Sequence, residues 1–275
     1  MIRIRACEAF DEFEACVQLQ IETWGYDESE IIPRKTFLLA QKIGGQVIGA
    51  FDTDSGADSA ADQPANHRES LVGFAMSLPG IKTEGGRARP YLHSHMLAVR
   101  EGYRNRGLGV QLKRFQRDEA LKRGISHIEW TFDPLEIKNS FLNIHRLGAI
   151  ARSYRPDFYG VSSSRLQGGL PTDRLVAEWE LDSARVEAIL NGHLAAAEVI
   201  EERILVPASI YQWKASKADR ERALTVQMEN RRKFQQAFAR GLAVVGFTLD
   251  AERNGVFELG GLAQVGEGSE ERENL

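Results

Sequence analysis

The chain has 275 residues, 43% hydrophobic and 27% charged, with a formal net charge of -4 and a pI near 5.9. That is the composition of an ordinary globular protein with one large domain, or one domain plus a substantial extension. The acidic balance argues against general affinity for nucleic acid or an anionic membrane, so any anion site has to be local.

The opening "MIRIRACEAF" alternates like a first strand and lacks the continuous apolar stretch of a signal peptide. No segment approaches the roughly 18 to 20 apolar residues needed to span a bilayer. Cys7 and Cys16 are the only cysteines and have no CxxC spacing. They are expected to be core thiols in a reduced, cytoplasmic setting. Phe13, Val17 and Ile21 predict a first helix, and "PRKTFLLAQKIGGQVIGAFDT" predicts a hairpin turning at Gly44-Gly45. The polar run "DTDSGADSAADQPANHRES" is expected to be a flexible loop. "SLVGFAMSLPGI" and "RPYLHSHMLAV" follow as strands.

Leu108, Leu112 and Phe115 then share one face of a helix from Leu108 to Lys122. "ISHIEWTFDP" is a strand stopped by Pro134, and "EIKNSFLNIHRLG" a short helix capped at Gly148. "ARSYRPDFYGVSSSRLQGGLP" is expected to be an ordered loop and "TDRLVAEWEL" a strand. From Asp182 the pattern predicts an Ala/Glu-rich helix to about Glu202, a strand at "RILVP" and a long helix from Lys217 to Arg240. Two strands, "LAVVGFTL" and "GVFELG", precede a frayed acidic tail.

The densest chemistry lies between Arg100 and Arg117, where six basic side chains and one acid flank Gly107 and Gly109. A strand, a tight glycine turn and a helix N-terminus form an anion cradle: unpaired N–H groups point outward and the helix dipole adds positive charge. Glycine lets the backbone approach a phosphate. Arg104 and Arg106 can add charge-assisted bonds, and Lys113 or Arg114 can reach a more distant phosphate. A pyrophosphate-sized ligand fits this turn. A Walker A loop would need Gly-Lys-Ser/Thr, and the GxGxxG spacing is absent.

Arg104-x-x-Gly107-x-Gly109, with "LAV" before it and an amphipathic helix after, resembles the acyl-coenzyme-A motif of the GNAT superfamily of N-acyltransferases. The resemblance covers residues 1–181, and "NSFLNIHRLGA" and "RSYRPDFYG" are similar to a longer subgroup with a C-terminal extension. It implies an α/β fold with a mixed α+β sheet: a GNAT-like core with splayed central strands, then an α+β extension over 182–265 and the tail 266–275. It further implies acetyl-CoA or another acyl-CoA as co-substrate, with no metal. Leu97 and Val99 would offer backbone groups to the pantetheine arm. The stretch Arg104, Asn105, Arg106, Gly107, Leu108, Gly109 and Val110 would hold the pyrophosphate, and Asn139 would contact the cofactor arm. Asn143 shares the helix face of Asn139, with capping as the other use of both.

Acyl transfer to an amine needs a neutral amine, a stabilised oxyanion and a proton for the leaving thiolate. His93 falls where some members of the superfamily carry a glutamate base, and Glu129 on the next strand competes for that role. His95 shares a strand face with His93 and, with Tyr154 and Tyr159, is expected at the acceptor site. His93, His95 and His127 do not by spacing alone make a metal site. Where many members place a tyrosine to protonate the thiolate, this chain has Ile144.

The expected function is therefore transfer of an acyl group, acetyl by default, to a primary amine of a small metabolite such as an amino acid. A peptide or protein acceptor and a catalytically silent acyl-CoA-binding module are the alternatives. Nucleic acid binding through Arg100–Arg117 is a third; it predicts affinity for polynucleotide that falls steeply with salt and is not competed by coenzyme A. The C-terminal third is expected to extend the sheet, cover the acceptor pocket or form a homodimer interface.

Overall fold

The computed structural model describes residues 1–53, 69–193 and 199–261. The loop expected at 52–70 falls mostly, and the acidic tail wholly, outside the described residues. Strand β1 (Ile2–Ala6) leads into helix α1 (Phe10–Trp24), whose Phe13, Cys16, Val17 and Gln20 are buried at helical spacing. Gly25, at φ 63°, closes it in the left-handed conformation.

Residues expected to form the first arm of a hairpin are instead helix α2 (Arg34–Lys42), which buries Phe37 and Ala40. Two apolar positions three apart serve a helix, and tertiary packing against β2 (Gln46–Asp52) and β3 (Ser70–Glu84) decides for it. Gly44-Gly45 is thus a helix-to-strand turn. A Cβ on Gly45 would lie 2.2 Å from the Ser77 carbonyl oxygen, so only glycine fits there.

β3 and β4 (Arg87–Val99) form a long antiparallel hairpin. Its register shifts so that Met76 faces Met96 while Ser77 faces Ser94, leaving His95 as the extra residue of a β-bulge. Helix α3 (Leu108–Lys122) and strand β5 (His127–Phe132) follow as expected. Helix α4 (Ile137–Ser140) continues as a wider turn through Phe141–Arg146 and closes at Gly148, φ 77°.

The segment expected to be all loop begins with strand β6 (Ile150–Arg155), which pairs with β7 (Arg174–Glu180) through Ala151 and Tyr154. Helix α5 (Ala184–Leu190) is much shorter than expected, ending at Asn191-Gly192, where Gly192 has φ 79°. β8 (Ile200–Val206), α6 (Ile210–Ala215), α7 (Arg220–Ala239), β9 (Leu242–Leu249) and β10 (Gly255–Gly261) complete the chain.

The ten strands among the described residues join one mixed sheet in the order β1-β2-β3-β4-β5-β7-β6-β9-β10-β8. The C-terminal part extends the sheet beyond β6, where Ala151 pairs with Val244. Phe234 of α7 stacks on Tyr154 at 5.6 Å and meets Phe257 edge-on at 5.2 Å, so the extension shares one apolar core with β5, β6 and β7.

The sheet's one parallel pair, β4 with β5, matches only Leu92 with Ile128 and His93 with Glu129. Beyond these residues the two strands part. From Ser94 and Trp130 onward a gap opens in the middle of the sheet, and every feature of the site is arranged around it.

Candidate active site

The exposed bend from Arg104 to Gly107 feeds α3. Asn105 and Gly107 have φ of 60° and 80°, and Gly107 is the N-cap. The first α3 amide with an internal acceptor is that of Gln111, bonded to the Gly107 carbonyl at 3.1 Å. Those of Asn105, Arg106, Gly107, Leu108, Gly109 and Val110 have none among the described residues, so donors and the positive helix end face outward together. A Cβ on Gly109 would approach Leu142 at 3.4 Å, filling the seam between α3 and α4.

The basic run is not one patch. Arg104 Nε donates to the Val99 carbonyl (2.9 Å), which steadies the bend. Arg100 pairs with Glu22, Arg117 bonds the Leu181 carbonyl and Glu187, and Arg106 lies over the Tyr103 ring. Lys113, expected to reach a phosphate, is corrected outright: it points inward and is buried.

The gap between β4 and β5 opens into a cavity of about 580 Å³, a size suited to a small-molecule site. Ser94, His95, Met96 and Leu97 of β4 face Trp130, Thr131 and Phe132 of β5 across it. Asn139 and Asn143 line it from α4, and Tyr159 lies in its wall with its phenol 2.8 Å from Thr131 Oγ1. The segment after Tyr159 is tied across α1: Glu30 accepts from Ser163 N–H (2.5 Å) and Ser162 Oγ (2.9 Å), Ser163 Oγ accepts from Asp27 N–H (2.9 Å), and Arg165 bonds the Thr23 carbonyl (3.3 Å). This bonded strap lines one side of the cavity with Val161, Ser162, Ser164 and Leu166.

Of the candidate proton carriers, His95 lines the cavity and His93 does not. Their rings are 6.3 Å apart. Surrounding bulk and then the neighbouring His93 lower the His95 pKa, so its imidazole is neutral near pH 7. His93 Nδ1 lies 3.8 Å from Glu129. Burial raises the Glu129 pKa, but the nearby His127 and His93 rings and the bonded Lys82 ammonium outweigh it and hold the carboxyl well below its usual range. A carboxylate held so firmly in its ionised form is a weak base. The histidines do not converge on a common point: His127 is engaged by Glu180 at 2.8 Å and Lys82 at 3.3 Å.

Tyr154 does not reach the cavity. Its phenol donates to Asp173 at 2.6 Å beneath α7, and burial with that bond raises its pKa far above the ordinary phenol. Val99 lies past the cavity, its carbonyl already bonded to Arg104, whereas Leu97 lines the gap.

Several site groups escaped the sequence reading. Asp133 and Glu136 line the cavity and together hold buried Lys214 of α6, at 3.0 and 2.7 Å. Arg174 lines it too, its guanidinium 5.4 Å from the Tyr159 ring centre. Asn143 is 1% exposed and its Nδ2 has no partner. A second groove, beside the start of α3, is walled by Val110, Arg114, His145, Arg146 and Arg185. These residues are scattered along the chain: the sequence points to Val110, Arg114 and Asn143, and gives no signal for Asp133, Glu136, Arg174, Arg185 or Lys214.

Residues 8–139 match the sequence profile of the Acetyltransferase (GNAT) family. No curated protein matches the chain. Among solved structures, it resembles the ribosomal-protein-S18-alanine N-acetyltransferase of Escherichia coli (16% identity, 67% of this chain and 96% of that one, TM-score 0.47). It also resembles NAA60 of Arabidopsis thaliana in complex with acetyl-CoA (14%, 66% and 99%, TM-score 0.48). A third is aminoglycoside 6'-acetyltransferase type Ii (16%, 66% and 98%, TM-score 0.44). At these identities and scores none bears on the substrate of this chain. The matched profile spans the cradle, the bulged strand and both splayed strands, and it is through that segment that the chain is similar to the Acetyltransferase (GNAT) family.

Proposed function

We propose that this protein transfers an acyl group, acetyl in the first instance, from an acyl-CoA to a primary amine of a small metabolite such as an amino acid. One observation carries the reading: a run of amides without internal partners among the described residues, from Asn105 to Val110, lies beside the gap between β4 and β5, where Gly109 approaches Leu97. The run suits a diphosphate and the gap suits an extended pantetheine arm. Asn139 and Asn143, beside Leu97 across the gap, suit the amides of that arm. The basic groove past Val110 suits the nucleotide end.

Amine attack on the thioester carbonyl makes a C–N bond and breaks C–S, and the amine's proton must leave while the thiolate gains one. His95 is the proton acceptor we favour over His93 and Glu129, because it lines the cavity. Tyr159 and Arg174 stand on the acceptor side, where a guanidinium suits a carboxylate. The strap along that side supports a small acceptor over a protein chain.

The test is release of coenzyme A thiol from acyl-CoA over a panel of amino acids, other small amines and peptides. Turnover with a small amine is expected. Turnover with peptides alone would overturn the acceptor class, and coenzyme A binding without thiol release over the whole panel would make the protein a silent binding module.

A further inference from the structure

Lys113 is 2% exposed, on the inner side of α3. Its Nζ lies 2.7 Å from Ser94 Oγ, 3.2 Å from Gln116 Oε1 and 3.7 Å from the centre of the Trp130 ring. Ser94 and Trp130 are the first residues past the last matched pair of β4 and β5, so the amine stands at the apex of the gap, in the cavity wall. All three neighbours are neutral. Among the described residues no carboxylate pairs with Lys113, and burial alone pushes its pKa well below the ordinary lysine range.

The chain's other buried lysine shows the contrast. Lys214 is 6% exposed, but Asp133 and Glu136 hold it and their charges raise its pKa against burial. A buried cation without a counter-charge is expensive, and here the fold supplies carboxylates to one lysine and withholds them from the other. Two more buried donors without partners adjoin the same region: Gln116 Nε2, on the residue that contacts Lys113, and Asn143 Nδ2 in the cavity wall.

The phosphates of coenzyme A do not meet this amine if they occupy the cradle. Gly107 lies six residues earlier, about 9 Å along the helix axis. With the phosphates in the cradle and the pantetheine arm along the gap, the acyl end would reach its apex. We propose that the acyl donor ends in a carboxylate, as a mono-thioester of a dicarboxylic acid with coenzyme A, and that Lys113 with Ser94 receives that carboxylate. This rests on the acyltransferase reading above. In the transfer, the acceptor amine forms the C–N bond as C–S breaks and the amine's proton ends on the coenzyme A sulfur. The terminal carboxylate is unchanged.

The full chain is titrated calorimetrically, without acceptor, with free coenzyme A, acetyl-CoA, butyryl-CoA and succinyl-CoA. Butyryl is the near-isosteric neutral control. Succinyl-CoA is expected to bind at least about tenfold more tightly than butyryl-CoA. Lys113→Met, which keeps the bulk and removes the amine, is expected to abolish or reverse that ratio while still binding free coenzyme A. Equal binding of succinyl- and butyryl-CoA by the unaltered chain, or an unchanged ratio in Lys113→Met, overturns the inference and leaves the acyltransferase reading standing. No binding of any coenzyme A species removes both. The comparison within the unaltered chain decides the matter even if the variant does not fold.

Discussion

Gly107 combines φ 80° with the N-cap of α3 and an exposed row of free amides, so it can be changed with little effect on the core. Gly107→Glu places a carboxylate where the proposed site would receive the phosphates. Thermal shift is expected to show no stabilisation by coenzyme A. The apo melting temperature should fall only by what a left-handed non-glycine residue costs, about 1–2 kcal/mol. At the acceptor side, His95→Ala is expected to lower kcat by roughly 10²- to 10⁴-fold, the usual contribution of a general base, with a smaller loss for His93→Ala. Coenzyme A affinity should change little in both. If His93→Ala loses more, the base has been assigned to the wrong histidine.

Among the elements, the strap from Tyr159 to Arg165 depends on Glu30, whose carboxylate accepts from Ser162 and Ser163. Bonds to a charged group contribute about 1.5–3 kcal/mol each, so Glu30→Ala should raise the acceptor KM roughly tenfold or more with coenzyme A affinity preserved. The far ends of β5 and β7 carry a charge network of Lys82, Arg89, His127, Glu129 and Glu180. Burial pushes the Glu180 pKa up, yet hydrogen bonds from His127 and Arg89 hold it at about 2. Its contribution is present above the unfolded carboxylate value and fades as pH falls toward 2. Burial lowers the His127 pKa, but the nearby Glu129 carboxylate and the bond to Glu180 raise it overall. That contribution is complete below about 6.5 and is lost as pH rises through the raised value. The network is therefore strongest between about pH 4.5 and 6.5. Melting temperature measured from pH 5 to 9 should fall on the alkaline side, and His127→Gln should flatten that fall.

For the whole molecule, the extension is part of the same body as the catalytic half. Phe257 of β10 packs on Phe234 of α7 and on Phe247 of β9, at 5.2 and 4.7 Å, and is fully buried. Phe257→Ala should cost about 3–5 kcal/mol, read by denaturant unfolding as one cooperative transition. A second transition, with cofactor binding intact after the first, would show that the two parts unfold independently. Lys214 makes the joint chemical as well as apolar, since α6 of the extension bonds two carboxyl groups in the cavity wall. No helix among the described residues is long and apolar enough to cross a membrane.

The sequence by itself determined the cradle and its surroundings. Gly107 and Gly109 at a strand-to-helix junction are local features whose geometry follows from φ and from unpaired helix amides, with no distant partner required. It also determined α3, β3, β4, β5, β7, β9 and β10, whose periodicity is long or whose breakers are strong. It misread residues 34–42 and 150–155, where a short apolar pattern fits helix, strand or loop until a neighbour accepts it, and it overextended α5 past Gly192. Only the tertiary structure decided the inner site. The bulge at His95, the parting of β4 from β5 after a single parallel pair of positions on each strand, and the inward turn of Lys113 all depend on register between segments far apart in the chain. Whether a histidine faces solvent or cavity, and whether a lysine has a counter-charge, is a property of those distant neighbours and leaves no trace in local spacing.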